Sequence, residues 1–285
     1  MKLAHLLRRP LITLNVTDHC RKAAELMAEF HIRHLPILDE GTPAGMVSER
    51  DLLRAIGWWC HNDQHTGADI TDWAERLPVS EVMSTPLMCL SPTSLVRTAA
   101  RLMIEEKISA VALVENRQLT GIVTESDFLH ACVGAAAWQA QKVVEHMTAN
   151  VFHVSPDERI RVAWHRMREK QIRHLVVTKN EQVQGILSDR DLLAGITWNA
   201  TGSEGIQDTV KHLMSTRVAT IAPEASLAEA AQRMLDHKIG ALPVMDITCL
   251  TGIITETDLL KLWAREPDDP MEMPAGWASA AATAN

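Results

Sequence analysis

The sequence predicts an α/β protein built from four copies of one small β-α-β-β-α unit, and three observations carry that prediction. Residues 31–57 recur at 171–197, with 11 of 27 positions identical at an offset of 140. Residues 107–129 recur at 238–260, with 11 of 23 positions identical at an offset of 131. Both families share one apolar skeleton around an aspartate, at Asp51, Asp127, Asp191 and Asp258, which lie 76, 64 and 67 residues apart.

Each unit opens on a short alternating strand, near residues 11–15, 87–91, 150–154 and 217–221, introduced by Pro10, Pro86, Thr148 and Ser215. An amphipathic helix follows, visible in the helical spacing of Leu95, Ala99, Leu102 and Met103. Next comes an apolar, β-rich run: Leu35-Pro36-Ile37-Leu38, Val111 to Val114, Leu175-Val176-Val177 and Leu242-Pro243-Val244. A turn then leads into Gly-h-h-[Ser/Thr]-x-x-Asp (h, apolar) and a second helix, as in Leu52, Leu53 and Ile56. The units are placed at 1–57, 79–133, 143–197 and 210–264, and Ala135 to Ala140 reads as a connecting helix. A unit of about 55 residues buries too little surface to be comfortable alone, so pairing is expected. The odd/even alternation points to a two-unit module that duplicated, giving modules at 1–133 and 143–264. The tail, 265–285, with three prolines and an Ala/Ser end, is expected to be disordered.

Composition removes several function classes. With 28 basic against 36 acidic residues the formal net charge is −8, which argues against a nucleic-acid binder or a polybasic membrane-surface protein. No apolar run reaches the length of a spanning helix. His5, Arg8 and Arg9 interrupt what would otherwise resemble a leader. Five cysteines, at 20, 60, 89, 132 and 249, form no C-x-x-C pair. They fit reduced thiols in a cytoplasmic protein, and Cys89, on a strand, is read as a buried structural thiol.

The four segments Gly45-Met46-Val47-Ser48-Glu49-Arg50-Asp51, Gly121-Ile122-Val123-Thr124-Glu125-Ser126-Asp127, Gly185-Ile186-Leu187-Ser188-Asp189-Arg190-Asp191 and Gly252-Ile253-Ile254-Thr255-Glu256-Thr257-Asp258 closely resemble the cystathionine-β-synthase (CBS) domain. Leu35-Pro36 and Leu242-Pro243 match that family's strand, whereas Ala112 and Val176 replace its proline in the second and third units. The resemblance implies tandem pairs, called Bateman modules, that bind adenosine-containing ligands (AMP, ADP, ATP, sometimes S-adenosylmethionine or NAD) in clefts. Such modules regulate an attached or partner protein. In layout the chain is similar to the regulatory γ subunit of AMP-activated protein kinase.

A carboxylate can accept both hydroxyls of a ribose, and a neighbouring hydroxyl can bond the sugar or the phosphate. Asp51, Asp127, Asp191 and Asp258 are therefore candidates for the diol, with Ser48, Thr124, Ser188 and Thr255 beside them. Ser/Thr-x-x-Asp before an apolar helix is also close to a capping box, so the same residues have a purely structural reading. Arg33-His34 and Arg173-His174 stand at the entry of the inner strand in the odd units alone. Arg50 and Arg190 follow the same odd-only pattern; all four arginines are expected to supply the local positive charge that a phosphate needs in an acidic chain. The alternative is that these arginines are solvated surface charges.

Cys60, His61 and His65 have the look of a partial zinc site, but three ligands without a counterpart in the second module make a polar linker the better reading. The eight tryptophans are expected to pack at helix ends, with Trp58 and Trp198 candidates for a module interface. Nothing resembles a nucleophile with its base, a P-loop or a zinc-protease motif. The expected function is a non-enzymatic adenine-nucleotide sensor that acts on a separate protein partner and that can self-associate as a homodimer. The rival is an interaction scaffold whose clefts have lost their ligand.

Overall fold

The computed structural model describes residues 1–7, 10–59, 74–133, 135–198 and 209–265, with backbone alone at 56–59 and 196–198. Four repeats follow one plan. The first holds β1 (Leu14–Asn15), α1 (Cys20–Phe30), β2 (His34–Asp39), β3 (Thr42–Ser48) and α2 (Glu49–Trp59). The second holds β4 (Cys89–Leu90), α3 (Val96–Glu105), β5 (Ala110–Glu115), β6 (Gln118–Thr124) and α4 (Glu125–Cys132), after which α5 (Ala136–Ala140) forms the expected connecting helix. The third holds β7 (His153–Val154), α6 (Ile160–Lys170), β8 (His174–Lys179), β9 (Gln182–Ser188) and α7 (Asp189–Trp198). The fourth holds α8 (Leu227–His237), β10 (Ala241–Asp246), β11 (Cys249–Thr255) and α9 (Glu256–Arg265).

Within each of the first three repeats the short strand pairs parallel with the inner strand, which returns antiparallel through a tight hairpin. In the fourth the opening strand shrinks to one parallel bridge, Ile221 with Val244. The hairpin turns are two residues long and run through positive φ, as at Glu40 (47°) and Gly41 (82°), the primed geometry that matches strand twist.

The motif glycine has a steric reason. A Cβ on Gly45 would stand 3.0 Å from the carbonyl oxygen of Ser84, and one on Gly185 would stand 2.9 Å from that of Ser215. In both places the arm leading into the next repeat lies across the outer strand and pairs with it: Met46 with Ser84, Ile186 with Ser215. The converse exchange also occurs, since Thr148, ahead of the third repeat, pairs with Ile253 of the fourth. Leu7, ahead of the first repeat, covers Gly121 of the second. In each case the arm and the outer strand it covers belong to the same compact unit.

The residues gather into two compact units. One comprises Met1–Leu11, Met88–Asn150 and the described residues from Ala219 on, so it joins repeats two and four. Its helices α3 and α4 pack against α8 and α9. The core contains Leu3, Leu6, Met103, Phe128 and Trp138. Trp138 stacks on Trp263 at 5.6 Å, Phe128 meets Trp263 edge-on at 6.2 Å, and the Trp263 indole donates to Cys132 Sγ at 3.3 Å. These two tryptophans pack at helix ends as expected. The other unit comprises Ile12–Leu87 and Val151–Val218, joining repeats one and three. There α2 packs on α7, over a core that includes Leu14, Met27, Leu35, Ile37, Ile160 and Leu175.

Cys89 corrects its sequence reading. It is exposed, because successive strand residues face opposite sides and Leu90 takes the inward one. Cys60, His61, His65 and the tail from residue 266 lie outside the described residues, as do the side chains of Trp58 and Trp198, while Arg265, assigned to the tail, closes α9. Among the described residues no cluster of three or more His, Cys, Asp or Glu could hold a metal, and no helix is long and apolar enough to cross a membrane.

Candidate functional site

The strand-to-helix junction is built the same way four times. The first helical amide donates to the carbonyl of the residue just before the inner strand: Glu49 to Arg33 (3.1 Å), Glu125 to Ser109 (3.2 Å), Asp189 to Arg173 (3.1 Å) and Glu256 to Gly240 (3.0 Å). The inner strand's first residue lies in register with the motif hydroxyl residue, His34 with Ser48 and His174 with Ser188. Arg33, His34, Ser48 and Asp51 are therefore neighbours, and Arg173, His174, Ser188 and Asp191 repeat the grouping. In the even repeats Ala110 faces Thr124 and Ala241 faces Thr255, so the grouping there is Thr124 with Asp127 and Thr255 with Asp258.

The aspartate closes a helix cap in every copy. Asp51 Oδ2 accepts from Ser48 N (2.9 Å) and Ser48 Oγ (2.6 Å). Asp191 Oδ2 accepts from Ser188 N (2.7 Å) and Oγ (2.6 Å). Asp127 does the same with Thr124 at 2.7 and 2.8 Å, and Asp258 with Thr255 at 3.1 and 2.8 Å. One carboxylate oxygen thus satisfies the orphan donors of the helix start. The other oxygen is engaged differently from copy to copy. Asp51 Oδ1 meets Arg54 Nη1 (3.3 Å) and Ser84 Oγ (3.5 Å), Asp258 Oδ1 meets Lys261 Nζ (2.9 Å), and Asp191 hydrogen-bonds only Ser188 among the described residues. Burial pushes the Asp191 carboxyl above the usual aspartate range, against the Ser188 hydrogen bonds that favour its charged form.

Arg50 and Arg190, expected to supply charge to a phosphate, are each engaged across the repeat pair. Arg50 Nε lies 3.2 Å from Asp189 Oδ2, and Arg190 Nε lies 3.0 Å from Glu49 Oε1. The even pair reproduces the swap with neutral donors: Ser126 Oγ donates to Glu256 (2.7 Å) and Thr257 Oγ1 donates to Glu125 (2.8 Å). The odd-only arginines therefore have a physical cause within the fold, because odd repeats pack on odd and even on even. Sequence reasoning missed the acceptors, Glu49, Glu125, Asp189 and Glu256, all buried. The available signal was an acid directly after the motif hydroxyl in all four copies. Burial pushes the Asp189 carboxyl up to about 6, in spite of Arg50 and Arg173 nearby.

Comparison with known proteins agrees with this fourfold plan. The family model for the CBS domain matches residues 3–57, 79–134, 143–197 and 210–265. An uncharacterised 33.4 kDa protein of the ribosomal RNA operon of Thermofilum pendens is 29% identical over 264 residues, covering 88% of this chain and 87% of that one. The uncharacterised protein MJ1225 of Methanocaldococcus jannaschii is 25% identical over 280 residues, 93% of this chain and 98% of its own. The crystal structure of MJ1225, a protein proposed as an archaeal homolog of γ-AMPK, superposes with a TM-score of 0.82 at 22% identity, over 93% of this chain and all (100%) of that one. A conserved uncharacterised protein of Pyrococcus horikoshii superposes with a TM-score of 0.63 at 18% identity, over 92% of this chain and 100% of its own. With four matched copies accounting for most of its length, the chain belongs to the CBS domain family.

Proposed function

We propose that this protein is a non-enzymatic sensor of an adenosine-containing ligand, an adenine nucleotide foremost, and that it regulates a separate protein. The observation that carries the reading is the junction itself. One oxygen of each motif carboxylate is committed to a cap, and in the odd repeats the capped hydroxyl residue lies in register with the histidine of an Arg-His pair on the inner strand. A nucleotide monophosphate needs that set: an acceptor for its diol, a hydroxyl, and positive charge for its dianion. Arg33 and Arg173 are the phosphate contacts in this reading, with His34 and His174 beside them, while Arg50 and Arg190 hold the helix pair. The archaeal protein with the same four-repeat fold, proposed as a γ-AMPK homolog, supports the assignment. One feature favours the scaffold reading instead: all four caps are complete without a ligand.

A thermal-shift panel of adenosine, AMP, ADP, ATP, NAD and S-adenosylmethionine on the full chain separates the two. A ligand that binds only the folded state, at 100 times its Kd, adds about 2.7 kcal/mol. For a chain of this size that is a rise of several degrees in Tm. AMP is expected to exceed adenosine in the parent, and replacing Arg33 and Arg173 by Met is expected to abolish that preference. No shift with any of the six at millimolar concentration would leave the scaffold reading standing.

A further inference from the structure

Repeat three differs from its sister copies on the face where α6 meets the end of β8. Its inner strand ends on Lys179, whereas the matching positions are Asp39, Glu115 and Asp246. Its first helix ends on Lys170, where the other copies have Phe30, Glu106 and His237. Arg168 stands on the same helix, and Lys211 reaches Asp157, the acid that pairs with Lys179. Between α6, β7 and the β8–β9 turn lies an open concavity of about 750 Å³, lined by Phe152, His153, Glu158, Arg166 and Lys179 among others. Phe152 is 42% exposed and Lys170 Nζ sits 5.8 Å from its ring centre. Arg168 lies 4.9 Å from the ring centre of Trp164. Aromatic residues are enriched at interface centres and charge is kept to the rim, and Phe152 is an exposed aromatic with one cation, Lys170, beside it.

Arg166 is not part of this distinction. It bonds the carbonyl of His153 (2.6 Å), and Arg233 makes the same contact with Thr220 (2.7 Å) in repeat four, so both serve to pin helix to strand. The acids on the face matter for the choice of partner. Asp157 sits between Lys179 (3.1 Å) and Lys211 (3.7 Å), Glu169 pairs with Lys170 (2.6 Å), and Glu158 lines the concavity, so the face offers cations and acids side by side. A nucleic acid carries a phosphate at every step and meets these carboxylates unavoidably. A peptide can space its acids around them.

We infer that the α6–β8 face of repeat three, centred on Phe152, Lys170 and Lys179, docks an acidic segment of a partner protein. The probe is a fluorescein-labelled peptide of about a dozen Asp, Glu and Leu residues, titrated against the full chain by anisotropy. Lys170→Glu/Lys179→Glu places there the acids that repeat two already carries, at Glu106 and Glu115, so folding is expected to survive and is checked by circular dichroism. The parent is expected to bind the peptide, to release it as NaCl rises from about 50 to about 300 mM, and to lose roughly tenfold in affinity in the double variant. Phe152→Ser, which leaves the charges in place, is expected to weaken binding as well. The AMP-induced thermal shift, read in the same samples, is expected to be equal in parent and variants, whether large or nil. Equal peptide affinity in parent and double variant would overturn the inference. Tighter binding of an oligouridylate of equal charge would overturn it too, as would a dimer in the parent that the double variant dissociates.

Discussion

Asp191 carries two roles on two oxygens, and a pair of substitutions separates them. Oδ2 takes both the amide and the hydroxyl of Ser188, at 2.7 and 2.6 Å. Asp191→Asn keeps a carbonyl oxygen for those two donors and turns the second acceptor into an amino group. The helix start is preserved, and unfolding free energy is expected to stay within about 1 kcal/mol of the parent. Asp191→Ala leaves the half-buried Ser188 amide without its partner and removes the cap, which costs about 1–3 kcal/mol. Ligand binding follows a different ranking. A hydrogen bond to a charged group contributes about 1.5–3 kcal/mol, so losing the carboxylate is expected to weaken AMP at that cleft by roughly 10- to 150-fold in both variants. Urea unfolding followed by circular dichroism gives the first quantity, and isothermal calorimetry with AMP gives the second. Asp51, Asp127 and Asp258 remain intact, so the loss falls on one class of sites rather than on all. If Asp191→Asn binds AMP as the parent does while Asp191→Ala is destabilised, the carboxylate is a cap and nothing more.

Two further outcomes follow from the packing. Gly185→Ala is expected to cost about 1–3 kcal/mol, because its Cβ would press at 2.9 Å on the carbonyl of Ser215, itself held by Ile186 N at 3.0 Å; Gly121→Ala meets only the flexible side chain of Leu7 and is expected to cost less, an order that urea melts of the two variants check. The Asp189 carboxyl, raised from 3.8 to about 6, keeps a proton in the folded protein that the unfolded chain releases, so its contribution is favourable at low pH and is lost as pH rises through that window, by up to about 3 kcal/mol. The stability of the parent relative to Asp189→Asn is therefore expected to fall between about pH 4 and 6 and to level off above; a flat difference across that range would mean that Arg50 holds Asp189 ionised throughout.

What the sequence determined by itself is what short-range physics decides. The four-copy plan, the inner hairpins and the connecting helix at Ala136–Ala140 were legible because each rests on local periodicity, turn geometry and caps. The Ser/Thr-x-x-Asp junction was legible for the same reason: its bonds span three residues. Its capping chemistry could be read before any tertiary contact was known, whereas the register that sets Ser48 opposite His34 and Ser188 opposite His174 came with the paired strands. The tertiary structure alone decided which copy packs on which. Four similar helix faces are interchangeable in sequence, and nothing local distinguishes repeat three from repeat two as the partner of repeat one. Only the assembled units show Arg50 on Asp189 and Arg190 on Glu49, ties between odd repeats that no local pattern announces. Only the exchanged arms show why Gly45 and Gly185 tolerate no side chain. Cys89 looked buried because a thiol on a strand is buried by default; alternation along β4 sends Leu90 inward and Cys89 out. Contacts between segments far apart in the chain depend on which surfaces remain after each repeat has folded, and that remainder is written in three dimensions.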